Sequence, residues 1–193
     1  FFSRARVHGR IDVSPPCWST SVEDEFDRRG FGLDVRTAFP RSMLWARLDS
    51  WQPVGLDSAV LEVDVARAGE IGVVLAESVG QQIWNRPAVV AARMGHRESR
   101  TFAIESERRI VATGGLLRLG DVWYLGTAAT LPEYQGRGFQ SALIARRMAV
   151  AAEMGLRGVC AVVFADGASC RNLVKMGLEV LYERSTYVRR ATT

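Results

Sequence analysis

The stretch Val122–Phe164, VWYLGTAATLPEYQGRGFQSALIARRMAVAAEMGLRGVCAVVF, constrains the fold of this chain most. A strand-like run stops at Pro132, and a short loop carries Gly136, Arg137 and Gly138. A long amphipathic helix follows, then a second apolar run from Val159 to Phe164. A strand that feeds a glycine-rich turn and a helix N-terminus is a ready-made anion site, because unpaired backbone N–H groups face the ligand and the helix dipole favours negative charge. Gly136 and Gly138 can take backbone angles closed to other residues and let a bulky anion approach the main chain. The expected ligand carries phosphate.

Two familiar phosphate loops are excluded. A P-loop requires Lys followed by Ser or Thr after its last glycine, and none is present. A dinucleotide fingerprint starting at Gly136 requires glycine at position 141, which is Ser141, and an acid at the end of the next strand. Leu143, Ile144, Met148, Ala151 and Met154 form an apolar helical stripe, whereas Gln140, Arg147 and Glu153 read as its polar side. Gly155 supplies the helix stop.

The loop Gln135-Gly136-Arg137-Gly138-Phe139-Gln140 resembles the acyl-CoA loop of the GNAT superfamily of N-acetyltransferases, whose pattern is Arg/Gln-x-x-Gly-x-Gly/Ala. Gln135 and Gly138 match, and Gln140 departs from the final small residue. That position is expected in the first helical turn with ordinary negative φ, where a Cβ is tolerated. Pro132-Glu133-Tyr134-Gln135 is similar to the family's Pro-Glu-Tyr-Arg run, and the resemblance extends over residues 60–190.

The rest of the pattern gives the same order. Leu61 to Ala66 alternates as a strand, and Ala68 to Val79 and Pro87 to Met94 are expected helices, with Pro87 at a helix start. Arg100 to Glu105, Ile110 to Leu117 and Val122 to Thr130 are expected strands, joined by turns at Ser106-Glu107-Arg108 and Leu119-Gly120-Asp121. After the loop, the helix and the strand 159–164 come a helix near 168–176, Gly177, and two last strand segments between Leu178 and Arg189. The expected class is α/β (α+β): a mixed, mostly antiparallel central sheet flanked by helices, in the order β-αα-β-β-β-α-β-α-β-β.

Residues 60–193 are thus expected to form a GNAT acetyltransferase domain, and residues 1–50 an N-terminal remnant or extension. Ile11 to Val13 is strand-like, Ser19 to Arg29 helix-like with Ser19 or Ser21 as N-cap, and Leu33 to Phe39 extended. That shape repeats the chain's C-terminal end. Two readings follow: an internal duplication, in which residues 1 to about 48 end an N-terminal GNAT-like half, or an unrelated extension. The start at Phe1 rather than Met fits a truncated product. Trp51 to Ser58 is the expected linker.

Composition narrows the function. The 193 residues suffice for one domain, or one plus a fragment. The net charge of +4 includes Arg pairs scattered among acids, which argues against nucleic acid. No apolar run approaches the roughly 18 residues of a membrane span. Cys17, Cys160 and Cys170 lack metal or framework spacing and are expected as reduced thiols in a cytoplasmic protein. His8 and His96 stand isolated, and no metal is expected.

The resemblance implies acetyl-CoA as cofactor and an acetyl transfer to a primary amine on a small molecule or peptide; it also admits a homodimer. Such a transfer requires a held and polarised thioester carbonyl, a neutral amine and a leaving thiolate. The resemblance places Ala129, Thr130 and Leu131 against the pantetheine and acetyl group. It places the backbone from Gln135 through Gly136, Arg137, Gly138, Phe139 and Gln140 to Ser141 against the pyrophosphate. The small residues Gly126 to Thr130 either leave room for the ligand arm or pack under a helix. Many family members carry a tyrosine four residues before the glycine that starts the next strand; that position is Leu173. Ser169, Cys170, Asn172, Tyr182 and Tyr187 are the substitutes, with Ser169 and Tyr182 as the catalytic candidates. Ser169 and Asn172 share a helix face and would meet the cofactor, although Ser169 also reads as a helix cap. The segment 79–93 is expected to border the acceptor, with Trp84, Gln81, Gln82 and Asn85 shaping the cleft or Trp84 anchoring a helix. The alternative function is a non-catalytic acyl-CoA-binding or sensing module.

Overall fold

The computed structural model describes residues 10–13, 20–33, 41–52, 59–80 and 85–189. In chain order it contains β1 (Arg10–Val13), α1 (Thr20–Arg28), β2 (Phe31–Leu33), β3 (Arg41–Arg47) and β4 (Val60–Val63). There follow α2 (Ala68–Val79), α3 (Pro87–Met94), β5 (Ser99–Ser106), β6 (Arg109–Leu119), β7 (Val122–Thr130), α4 (Phe139–Glu153), β8 (Gly158–Phe164), α5 (Ala168–Lys175) and β9 (Glu179–Arg189). The helices at 68–79 and 87–94 start and stop where the pattern placed them. The expected strand 61–66 ends early, because Asp64 accepts the Ala66 amide at 2.9 Å and caps a short 3-10 turn. Glu107 and Arg108 both have positive φ, 52° and 65°, as the tight hairpin between β5 and β6 requires.

The main sheet runs β4-β5-β6-β7-β8-β3-β9. Its one parallel pair among the described residues is β7 with β8, the pair that α4 connects. Side chains of β4 to β8 and of α2 and α4 share one core, in which Phe102, Leu131, Leu143, Met148 and Val159 are buried.

Two features depart from the expected layout. First, β3 was not anticipated, yet it lies inside the sheet, antiparallel to β8 along its whole length and to β9 from Arg41 to Trp45. Ser42, Leu44 and Ala46 alternate inward and are buried. Second, the two expected C-terminal strand segments are halves of one strand. Glu179 to Arg184 of β9 pair with β3, whereas Ser185 to Val188 pair with β1 and Tyr187 to Arg189 with β2. Phe26 of α1, Phe31 and Tyr187 form a small separate aromatic cluster there.

The strand-helix-strand unit expected within 11–39 is present as β1-α1-β2; residues 34–40 lie outside the described residues. So do the N-cap position Ser19, Cys17, His8 and most of the expected linker.

Candidate functional site

The site begins with a strand that leaves its neighbour. β7 follows β6 to its end but pairs with β8 only from Val122 to Tyr124. Beyond Tyr124 a wedge opens between the two strands. A bulge accompanies the departure: between the register pairs Thr113–Ala129 and Gly115–Gly126, β6 contributes one residue and β7 two, Thr127 and Ala128. Thr127 has φ 51°, a left-handed conformation that a β-branched residue seldom adopts.

Arg147 underpins this bulge. It was grouped with the polar side of the helix, but it is 1% exposed and points from α4 into the sheet. Its Nη1 donates to the carbonyls of Gly115 at 3.0 Å and Gly126 at 3.4 Å, and its Nε to Leu143 at 3.0 Å. Room for the guanidinium comes from Gly114, where an added Cβ would lie 2.7 Å from Arg147 Cζ. No carboxylate pairs with it among the described residues, and burial pushes its pKa down to about 10. The periodicity of α4 placed Arg147 outward because only the Gly114-Gly115 gap in β6, distant in sequence, makes the inward position available.

The glycine loop follows. Gly136 and Gly138 have φ of 76° and 82°, and nothing stands within 4 Å of where their Cβ atoms would be. Both are open to an approaching ligand and closed to other residues by backbone angle. Gly138 is the N-cap of α4, and its carbonyl accepts the Ala142 amide at 3.1 Å. The amides of Phe139, Gln140 and Ser141 therefore have no acceptor within the helix. Gln135 was expected to offer its amide as well, but that N–H is directed at the Pro132 carbonyl, 3.3 Å away. Arg137 lies over the Tyr134 ring at 4.8 Å.

Gln140, the residue that breaks the loop pattern, has ordinary φ, as expected for the first helical turn. Its side chain has a role that the sequence concealed. Nε2 donates to the Ala129 carbonyl at 2.8 Å and to Thr130 Oγ1 at 2.9 Å. Gln135 Nε2 donates to the Thr130 carbonyl at 3.3 Å. Two glutamine amides thus tie the glycine loop to the end of β7.

A cavity of about 490 Å³ lies over this loop, bordered by Ala129, Thr130, Gly136, Gln140, Ser141 and Asn172 among others. Ser78 Oγ, on its wall, is buried without a hydrogen-bond partner. A second cavity of about 540 Å³ lies beyond the wedge, bordered by Arg41, Asn85, Arg93, Tyr124, Thr127 and Phe164 among others. Val79, Ala128, Ala168 and Ser169 line both cavities. The small residues of β7 thus border open space on both sides of the wedge.

The first cavity receives Ala129, Thr130, Gln135, Gly136, Gly138, Phe139, Gln140, Ser141, Ser169 and Asn172. Ser169 and Asn172 share a helix face as expected. Ser169 is not the cap of α5, because Gly167 holds the N-cap position and Ser169 is already helical. Leu131 is fully buried in the core and lines neither cavity, and Arg137 also stays outside both. Cys170 is buried in the core, and Tyr187 belongs to the aromatic cluster beside α1. Tyr182, opposite Met43 in β9, borders neither cavity. Two other tyrosines do border a cavity: Tyr134 lines the first, and Tyr124 the second, its hydroxyl held in its neutral form by burial, with Arg184 and Arg41 pulling the other way. The alternation of Tyr124 in β7 gave no signal beyond that of a strand aromatic. Asn85 and Arg93 of the expected acceptor segment line the second cavity, whereas Gln81, Gln82 and Trp84 lie outside the described residues.

This wedge, glycine loop and paired cavities belong to an acetyltransferase architecture, and the family comparison agrees. The model of the acetyltransferase (GNAT) family matches residues 69–178, and the chain belongs to that family. Among solved structures, it is similar to a GCN5-related N-acetyltransferase from Sphaerobacter thermophilus, with 14% identity and TM-score 0.71 over 97% of this chain and 62% of that one. A GCN5-related N-acetyltransferase from Kribbella flavida gives 10% identity and TM-score 0.69 over 99% and 72%. A tandem GNAT protein from the clavulanic acid biosynthesis pathway gives 11% identity and TM-score 0.69 over 99% and 67%. At these identities the likeness shows the fold alone. No curated protein matches the chain.

Proposed function

We propose that the protein transfers an acetyl group from acetyl-CoA to the primary amine of a small-molecule or peptide acceptor. The observation that carries this reading is the meeting of two cavities at Val79, Ala128, Ala168 and Ser169, one over the glycine loop and one beyond the wedge. The first offers the free amides of Phe139, Gln140 and Ser141 to a pyrophosphate. Its opening past Ala128, Ala129 and Thr130 suits the pantetheine arm. Acetyl-CoA supplies an activated acyl group and a thiolate leaving group. The chain's contribution is placement: it brings amine and thioester together at the junction and keeps water away with the walls of β7 and α5. Ser169, at that junction, is the residue proposed to donate a hydrogen bond to the departing sulfur. Tyr124 is proposed to orient the amine, whose proton passes to water on amide formation, because the environment of Tyr124 favours the protonated phenol.

The competing reading, an acyl-CoA sensor without turnover, is favoured by Leu173 standing at the position of the usual tyrosine. Titration calorimetry with acetyl-CoA and with CoA, followed by an amine screen read by thiol release, separates the two. Binding with release supports the transferase; binding without release across the screen favours the sensor; no binding removes both.

We also propose that residues 1–50 belong to a second GNAT-like half. β3 lies antiparallel between β8 and β9, the strands that flank α5, and the end of β9 lies antiparallel between β1 and β2, the strands that flank α1. The two strand-helix-strand units thus exchange strands reciprocally, as two copies of one design would. Amide exchange tests this: residues 185–189 should be protected like 179–184, and rapid exchange there would remove the reciprocal pairing and the reading with it.

A further inference from the structure

The second cavity has a charge character that the acetyltransferase reading does not by itself require. Arg41 and Arg93 both line it. Arg41 Nε and Arg93 Nη2 are buried and make no hydrogen bond. Neither guanidinium has a carboxylate partner among the described residues, and no aspartate or glutamate lines the cavity among them. The only influence that moves the Arg93 pKa from its ordinary value is burial, which lowers it. Arg41 stacks on the Phe164 ring at 4.7 Å, which fixes its plane at the cavity wall. Arg184 stands directly opposite Arg41 in the β3–β9 register, and like charges in that arrangement repel.

A buried N–H without an acceptor is costly, more so when it carries charge. Arg41 and Arg93, each with one such group, line the same cavity, and Arg184 stands across from Arg41 as a third arginine, so the cavity gains when an oxyanion enters. Guanidinium groups suit carboxylate and phosphate because their N–H forks match the oxygens in pairs. A neutral amine would leave them unpaired, and a purely cationic one would add repulsion as well. Asn85, 4% exposed, adds a fixed polar wall, its Nδ2 held on the Gly80 carbonyl at 2.9 Å.

We infer that the acceptor is a small amine that also carries an oxyanionic group, carboxylate or phosphate, bound by Arg41 and Arg93 in the cavity beyond the wedge. The inference rests on the acetyltransferase reading for the amine and on the arginines alone for the anion. An anion seated on Arg41 and Arg93 would leave the amine end of the molecule free to reach toward the junction at Ala128 and Ser169.

The test is calorimetric titration of the whole protein, with and without saturating CoA. The ligands are β-alanine, β-alaninamide, phosphoethanolamine and ethanolamine. The expected result is binding of β-alanine or phosphoethanolamine about tenfold or more tighter than its counterpart without the oxyanion, the size of a charge-assisted bidentate contact. Preference for β-alanine over β-alaninamide identifies a carboxylate site, and preference for phosphoethanolamine over ethanolamine a phosphate site. Arg93→Gln and Arg41→Gln should each abolish the preference while leaving acetyl-CoA binding unchanged, and Arg93→Lys should restore part of it. Equal affinity within both pairs, or absence of binding by both anions, would overturn the inference. Failure of acetyl-CoA to bind while the anion preference persists would instead overturn the transferase reading and leave the anion site standing.

Discussion

The side-chain amide of Gln140 donates to the backbone carbonyl of Ala129 at 2.8 Å, joining the first turn of α4 to the last residues of β7. The same Nε2 reaches Thr130 Oγ1 at 2.9 Å. The position that departs from the family's loop pattern is therefore a tie between the two elements that enclose the proposed cofactor cavity. Gln140→Ala should lose these bonds and about 1 kcal/mol of stability. Gln140→Glu should do more: a carboxylate would face the Ala129 carbonyl and sit beside the anion loop. Its acetyl-CoA affinity should fall about tenfold or more below that of Gln140→Ala, since charge repulsion adds to the lost donor. Denaturation and calorimetry on both variants check this; equal affinities would show that the side chain lies away from the ligand.

Gly138→Ala isolates a backbone effect. With φ of 82° and no atom within 4 Å of the new Cβ, only the left-handed conformation is penalised. The expected cost is about 1–2 kcal/mol. Thermal unfolding should show that loss whether or not ligand is present, and a stability equal to wild type would mean that the loop holds another conformation in solution.

Gly158→Ala tests β3. A Cβ there would lie 2.5 Å from the Ala46 carbonyl oxygen and from the Trp45 ring, so β3 could no longer sit against β8 as it does. Leu44, fully buried in the same strand, provides a second probe. Leu44→Ala should cost about 2–5 kcal/mol as a core truncation. Chemical denaturation reads both; small effects from both would mean that β3 contributes little to the domain.

The elements from 60 to 175 were legible because their signals are local. α2 and α3 have helical periodicity with a proline start, β5 to β7 alternate, and the glycine loop announces itself by position. β3 was missed because its buried residues Ser42, Leu44 and Ala46 alternate with Met43 and Trp45 and so show no apolar–polar alternation, and the strand gains its identity only from β8 and β9, more than a hundred residues away. Arg147 was misplaced for the same reason: the gap that receives it is made by Gly114 and Gly115 on another strand. Likewise, Tyr182 and Tyr124 are both strand aromatics, and only the path of β7 out of the sheet puts one at a cavity and leaves the other elsewhere.

Arg147 also has a distinctive pH behaviour. Its folded pKa is lowered to about 10, below the ordinary arginine value, so the unfolded chain holds the proton more tightly than the folded one. Its contribution to stability should therefore be flat from about pH 5 to 9 and should rise with pH above about 10. An arginine held by a carboxylate would behave differently, losing its contribution as the acid protonates. The difference in unfolding free energy between wild type and Arg147→Met, followed across pH, checks this. A difference that falls away between about pH 5 and 3 would point to a carboxylate partner.

Ser169 supplies the sharpest test of the proposed chemistry. It is exposed at the second position of α5 and lines both cavities, and Gly167 rather than Ser169 caps the helix. Removal of its hydroxyl should therefore leave stability nearly unchanged. If the hydroxyl assists the departing sulfur, Ser169→Ala should lower kcat by about tenfold to a hundredfold, at or below the low end of general acid catalysis. Affinity for acetyl-CoA should stay within about threefold, because the effect belongs to the transition state and not to ground-state binding. Ser169→Thr, which keeps the hydroxyl, should recover much of the rate. A variant Ser169→Ala with unchanged kcat would assign the leaving thiolate to solvent, and one that loses affinity and rate together would make Ser169 a wall of the cavity instead of a participant in the reaction.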